Sequence, residues 1–234
     1  MTLSTSAAPV GTRAATTRAV LGVYPSLLSW GVAAGAIAAA TAVAAWRRGD
    51  LDGVDSALWL LRIAGLVVAA GTVGLLDDAS RNVTQGVAFP TWARTGLRIL
   101  AAAAVFVAGC LPAFVLVQTS VPLGAAWPGI ALELTTIEVV AIAVTLGIQR
   151  WGDIAEPGQF GAVGVALAFL GAVVASNFWP IFTTPGPEWG AAHLRWVAIG
   201  VVSAVVTVGA LRDPAAMAVP RRLRLLASGP PRAR

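Results

Sequence analysis

The sequence predicts an all-α integral membrane protein of six transmembrane helices, both termini cytoplasmic, with a short interfacial helix between the second and third spans. Three observations carry this. Only 12% of the 234 residues are charged, about half the share of a soluble domain. Hydrophobic residues make up 57%, and mean hydropathy is +0.79. The apolar residues fall into runs near the ~20 residues a helix needs to cross the bilayer core, and short polar connections separate the runs. One membrane domain is expected over residues 23–211, between a cytoplasmic tail at 1–22 and a basic cytoplasmic tail at 212–234.

Each span has its own signature. The first, Leu27 to Ala45, carries Gly31, Gly35 and Ala39 at four-residue spacing, a stripe that allows close helix approach. Its end, Ala-Val-Ala-Ala before Trp46, has the form of a signal-peptidase site, but the apolar run exceeds an ordinary signal core, so an uncleaved helix is expected. The second span runs from about Leu58 to Leu76 and the third from Leu97 to Val117, with Pro112 as an expected kink. The fourth runs from Gly129 to Ile148, the fifth from Phe160 to Ile181 and the sixth from Ala192 to Leu211. Thr72 to Asp78 (Thr-Val-Gly-Leu-Leu-Asp-Asp) is echoed by Thr207 to Asp213 (Thr-Val-Gly-Ala-Leu-Arg-Asp), each closing a span.

Orientation follows from the arginines, which are the only basic residues besides His193. Placing both termini inside puts 12 of the 16 on the inner side and only Arg47 and Arg48 in an outer loop, as the positive-inside rule requires. A net charge of +5 and pI near 11.2 therefore reflect helix-end arginines, not a nucleic-acid footprint. The nine tryptophans fall at predicted span ends and are expected to be interfacial anchors. His193, at an outer boundary, is expected on the surface.

Several chemistries are excluded. A single cysteine, Cys110, cannot form an internal disulfide, and a single histidine cannot make a bis-histidine haem or a His-rich metal site. No nucleophile elbow, His-Glu-x-x-His, Cys-x-x-Cys or phosphate loop occurs, so no catalytic residue is assigned and any nucleotide is bound by another polypeptide. Arg62, Glu133, Glu138 and Arg195 are the ionisable residues inside spans. Each would cost about 2.5–3.5 kcal/mol near the centre of a lipid-facing helix, so they should face the bundle or pair. Arg62, Glu133 and Arg195 lie at similar depth, and Glu138 lies deeper. Glu133 and Glu138, five residues apart, are about 140° apart around a helix and do not share a face. A register-fixing Arg–Glu pair and a polar site that meets substrate or proton both fit.

The longest polar interruption is Asp77 to Arg98. Asp78 can cap a short helix that Gly86 ends, and Thr91 can cap a second one from Trp92 to Arg98 at the interface. Such a loop has the form of a coupling helix, and equally of a basic loop held to lipid by Arg94 and Arg98.

Leu76-Asp-Asp-Ala-Ser, then Val87 to Pro90-Thr-x-x-Arg94-x-x-x-Arg98, resembles the pattern after the second span in membrane subunits of actinobacterial ABC-2-type transporters. Leu211-Arg-Asp-Pro-Ala215 resembles their C-terminal close. The resemblance implies a permease subunit in a bacterial inner membrane, paired with a second membrane subunit and with separate ATPase subunits that carry ATP and Mg2+. It implies that Asp77, Asp78, Arg81, Asn82, Thr84, Gln85, Arg94 and Arg98 form the ATPase coupling loop, and that a hydrophobic or amphipathic compound is exported. An amphipathic helix before the first span is a feature of that class which Arg13 to Leu21 supplies only in fragment. The alternatives are a non-transporting scaffold subunit, whose loop and tail bind a partner or anionic lipid, and a proton-coupled carrier in which Glu138 titrates.

Overall fold

In the computed structural model, residues 30–77, 91–152 and 157–211 are described. They form α1 (Trp30–Arg47), α2 (Val54–Thr72), α3 (Thr91–Ser120), α4 (Trp127–Trp151), α5 (Pro157–Ala175) and α6 (Trp189–Leu211). Short 3-10 turns follow α1 and α2 and precede α4, and no strand occurs among the described residues. Five helical segments are long and apolar enough to cross a membrane: Val54–Leu76, Trp92–Ser120, Gly124–Trp151, Pro157–Ala175 and Trp189–Leu211. The described part of the expected first span, α1, has 18 residues and includes Arg47. It is not among the five, and the residues before Trp30, with which the expected span begins, lie outside the described part.

Burial separates centre from rim. In α2 and α4, 72% and 61% of the most apolar window is buried, against 22% or less in α3, α5 and α6. The two central helices also carry the buried charged residues Arg62, Glu133 and Glu138, as expected where hydrocarbon would penalise an outward charge. The outer helices present rows of apolar side chains such as Leu194, Val201, Val205 and Val208 on α6. A helix apolar all round is what a membrane rim requires.

Close helix approach occurs, but not through the expected stripe. Gly31 and Gly35 face open space, and Ala39 is exposed. The face of α1 that packs is Ala33, Ala40 and Ala44, and its closest neighbour is Gly71 of α2, where an added Cβ would lie 2.3 Å from Ala36 Cβ. Alanine is small enough to serve, so in an Ala-rich helix the glycines do not mark the interface.

Three other expectations change. Trp92 to Arg98 is not a separate interfacial helix but the opening turns of α3, a 30-residue helix that also continues through Pro112; nothing between Trp92 and Arg98 breaks a helix. The fifth span ends at Ala175, not Ile181, and a strap over residues 176–188 turns back over the bundle. The two echoed segments differ in form: Val73–Leu76 tightens into a 3-10 turn while Val208 to Leu211 stays α-helical.

The rim is open between α5 and α6. α5 and α6 each pack on α4, but their backbones do not approach each other closely. Between them lies a cleft of about 120 Å³, lined by Leu66 of α2, Ile137 and Val140 of α4, Val165, Ala168, Phe169 and Ala172 of α5, and Trp196 and Ile199 of α6, and roofed by Ile181 and Phe182.

Candidate functional site

The strongest polar constellation is at the end of the bundle covered by the strap. Arg62 of α2 and Glu133 of α4 form a two-pronged ion pair, Nε to Oε2 at 2.7 Å and Nη2 to Oε1 at 3.0 Å. Both side chains are fully buried. Nη2 also donates to the Thr183 carbonyl at 2.9 Å, so the same guanidinium holds two helices in register and ties down the strap. Trp59 and Phe182 lie 5.3 and 5.4 Å from the guanidinium carbon, within cation–π range. Planar delocalised charge and a fixed donor fork suit Arg for such a place better than Lys.

His193 closes the cluster from α6. Its Nδ1 lies 2.7 Å from the Trp189 carbonyl oxygen, an acceptor, so that nitrogen carries a proton. Its Nε2 is 3.5 Å from Glu133 Oε1, too long for a good hydrogen bond. The histidine is therefore not a surface residue: it is only 14% exposed, packed with Trp189 over Gly129, where any Cβ would collide with both rings.

The strap is anchored at successive backbone carbonyls. Arg195 donates to the Pro180 carbonyl and stacks 6.0 Å from Trp179. Trp196 Nε1 donates to the Ile181 carbonyl at 3.0 Å. Phe182 sits among Trp59, Phe169 and Trp196 at 5.1–5.5 Å between ring centroids. Arg195 thus pairs with a backbone carbonyl instead of a carboxylate. Trp59, Trp189 and Trp196 are building blocks of this site, not interfacial anchors, whereas Trp30, Trp46, Trp92, Trp127, Trp151 and Trp179 are exposed.

Buried polar atoms without a partner collect here. Arg62 Nη1, Thr183 Oγ1 and His193 Nε2 are such atoms among the described residues. Native interiors satisfy nearly all such groups, so each of these calls for a partner, whether water or a ligand.

Glu138 occupies a second position deeper along α4. It is 3% exposed, and Thr72 Oγ lies 3.0 and 3.2 Å from its two oxygens and 2.9 Å from the Ala69 carbonyl. No ion pair to Glu138 occurs among the described residues. A hydroxyl can donate to a carboxylate or accept from a carboxylic acid, so Thr72 serves either protonation state. The two glutamates meet α2 at different residues, as their angular separation requires.

At the opposite end, Asp77 and Arg98 are built into the bundle. Asp77 Oδ1 accepts the Gly158 N–H at 2.6 Å, capping the start of α5. Arg98, 4% exposed, donates through Nη1 to the Leu76 carbonyl at 3.3 Å and to the Asp77 carbonyl, satisfying the end of α2. A buried Arg at a helix C-terminus is favoured by the orphan carbonyls and the helix dipole. Arg94 is half-buried on the same opening turns of α3. Asp78, Arg81, Asn82, Thr84 and Gln85 lie outside the described residues. No group of three or more metal-ligating side chains occurs among the described residues. Comparisons with protein-family models, curated proteins and solved structures find no match for the chain. Its class rests on the fold: a helical protein with five segments able to cross a membrane, hence multi-pass.

Proposed function

We propose that this chain is the permease subunit of an ABC-type exporter with six spans and both termini cytoplasmic, and that it moves a hydrophobic or amphipathic compound drawn from the bilayer. The observation that supports the proposal is the apolar cleft between α5 and α6. A laterally placed, Leu/Ile/Val/Phe-lined space beside a buried polar cluster suits a lipid-like compound better than an ion or a sugar. The chain then works with a second membrane subunit and separate ATPase subunits that hold ATP and Mg2+, in the inner membrane of a bacterium. The segment from Asp77 to Arg98 is the ATPase contact. Its ends are fastened to α2, α3 and α5 through Asp77 and Arg98, so force applied there reaches helices that line the cleft. Alternating access would follow as two packings of those helices.

Affinity purification in mild detergent tests this. A stoichiometric ATPase that is lost when residues 79–86 become Gly/Ser is expected; a preparation without ATPase would overturn it. Glu138 and Thr72 favour a second reading, a proton-coupled carrier. Under it, Glu138→Gln abolishes transport at normal expression and no ATPase is required.

A further inference from the structure

The cleft and the partnerless polar atoms share a wall. Phe182 lines the cleft, lies 5.4 Å from the Arg62 guanidinium carbon and directly precedes Thr183. Phe182 thus touches both the apolar space and the guanidinium; beside it, Arg62 Nη1 and Thr183 Oγ1 are buried without partners among the described residues, while Thr183 holds Arg62 Nη2 through its carbonyl. Glu133 grips the guanidinium by Nε and Nη2, so Nη1 is turned away from the carboxylate.

We propose that these two halves form one binding site for an uncharged single-chain amphiphile, an acylglycerol-like molecule with hydroxyl and ester oxygens. The chain lies in the cleft. One head-group oxygen accepts from Arg62 Nη1, and another pairs with Thr183 Oγ1, with the Phe182 ring turned aside. The class of head group follows from charge. Arg62 is already neutralised by Glu133, so a fully anionic head at Nη1 would enter a buried site beside a carboxylate, at a desolvation cost that the neutralised guanidinium does not offset. An oxygen acceptor or hydroxyl meets the open donor and hydroxyl without adding charge. The class of tail follows from the lining: a dry apolar cavity on the order of 150 Å³ holds small hydrocarbons, and 120 Å³ between two helices whose backbones stand apart admits part of an acyl chain.

This deepens the exporter proposal by naming its substrate class, and it rests on that proposal only for the direction of transport. Binding can therefore be tested without any ATPase. The purified full chain is titrated in detergent with monoolein, oleate or octadecene, and adducts are counted by native mass spectrometry. Monoolein is expected to give one saturable adduct, tighter than that of oleate or octadecene. Thr183→Val should weaken it about 2- to 10-fold, the worth of one hydrogen bond, without changing the octadecene adduct. Ala172→Phe, which fills the cleft, should abolish it. Ser203→Phe, in the neighbouring apolar groove between α4 and α6, which shares only Val140 with the cleft, should leave it unchanged. Thermal unfolding of each variant, compared with wild type, separates loss of binding from loss of fold, and Ile199→Trp replaces Ala172→Phe if the latter does not fold. Equal binding of monoolein and octadecene, no effect of Thr183→Val, tighter binding of oleate, or adducts that survive both cleft-filling variants would each overturn the proposal. If monoolein binds as expected but no ATPase copurifies, the site stands and the exporter proposal falls.

Discussion

Removing Glu133 tests the idea that the Arg62–Glu133 pair is the register lock of the bundle. Both groups are fully buried, and Glu133 takes donors from Nε and Nη2 at 2.7 and 3.0 Å. Glu133→Leu leaves a guanidinium that cannot shed its proton with its main partner gone. Breaking a buried pair from one side costs about 3–5 kcal/mol, which is roughly two to three and a half orders of magnitude in the unfolding constant. Arg62→Met should cost less, because the orphaned carboxylate can take up a proton and His193 stands 3.5 Å away. The double variant, Arg62→Met with Glu133→Leu, should lie within about 2 kcal/mol of wild type, since replacing both members removes the uncompensated charge. The remaining loss is the tie to the Thr183 carbonyl. Unfolding by SDS titration in mild detergent measures all four corners of the cycle. If Glu133→Leu and the double variant are equally destabilised, or if all three variants stay close to wild type, the register-lock argument is wrong.

Other substitutions give distinct outcomes. Gly71→Val should lower thermal stability by about 1–3 kcal/mol, because its Cβ would meet Ala36 Cβ at 2.3 Å; Gly31→Val and Gly35→Val should be neutral in the same melt. Asp77→Ala removes the carboxylate that caps Gly158 and should cost about 0.5–2 kcal/mol, with Asp77→Asn recovering part of it. Arg98→Ala should cost more than Arg98→Leu with the aliphatic stem replaced, since the stem packs as well as donates, and proteolysis near residue 77 should rise in both. Glu138→Gln should keep wild-type stability within about 1 kcal/mol, because an amide still pairs with Thr72, while any pH dependence of transport between the two should disappear.

Much of the fold was legible in the sequence, for a simple physical reason. Hydrocarbon requires long apolar helices, and the runs from Leu58, Leu97, Gly129, Phe160 and Ala192 each contain one. The pairing of Arg62 with Glu133 was one of two outcomes foreseen from their shared depth and the cost of a lipid-facing charge. What was not legible came from tertiary contact. Gly31 and Gly35 looked like an interface, but alanines on another face of α1 made it. Trp59, Trp189 and Trp196 looked like anchors because indoles at span ends usually are, yet Trp59 and Trp196 pack on Phe182 of the strap and Trp189 packs on His193. That strap passed for the end of a span, since Phe178 to Phe182 is apolar and only its carbonyl anchoring by Arg195 and Trp196 distinguishes it. The one available hint was the His193–Trp189 spacing of four residues, which places both rings on one face of α6. Thr72 as the partner of Glu138 had no sequence signal at all.

The proposed export requires a partner ATPase to drive an amphiphile through the α5–α6 cleft. The most direct measurement is ATP hydrolysis by the assembly carrying this chain in lipid nanodiscs, with and without monoolein, for wild type and Ala172→Phe. Stimulation by monoolein in wild type and none in Ala172→Phe is the predicted result. Hydrolysis that does not respond to monoolein, or that responds equally when the cleft is filled, would contradict it.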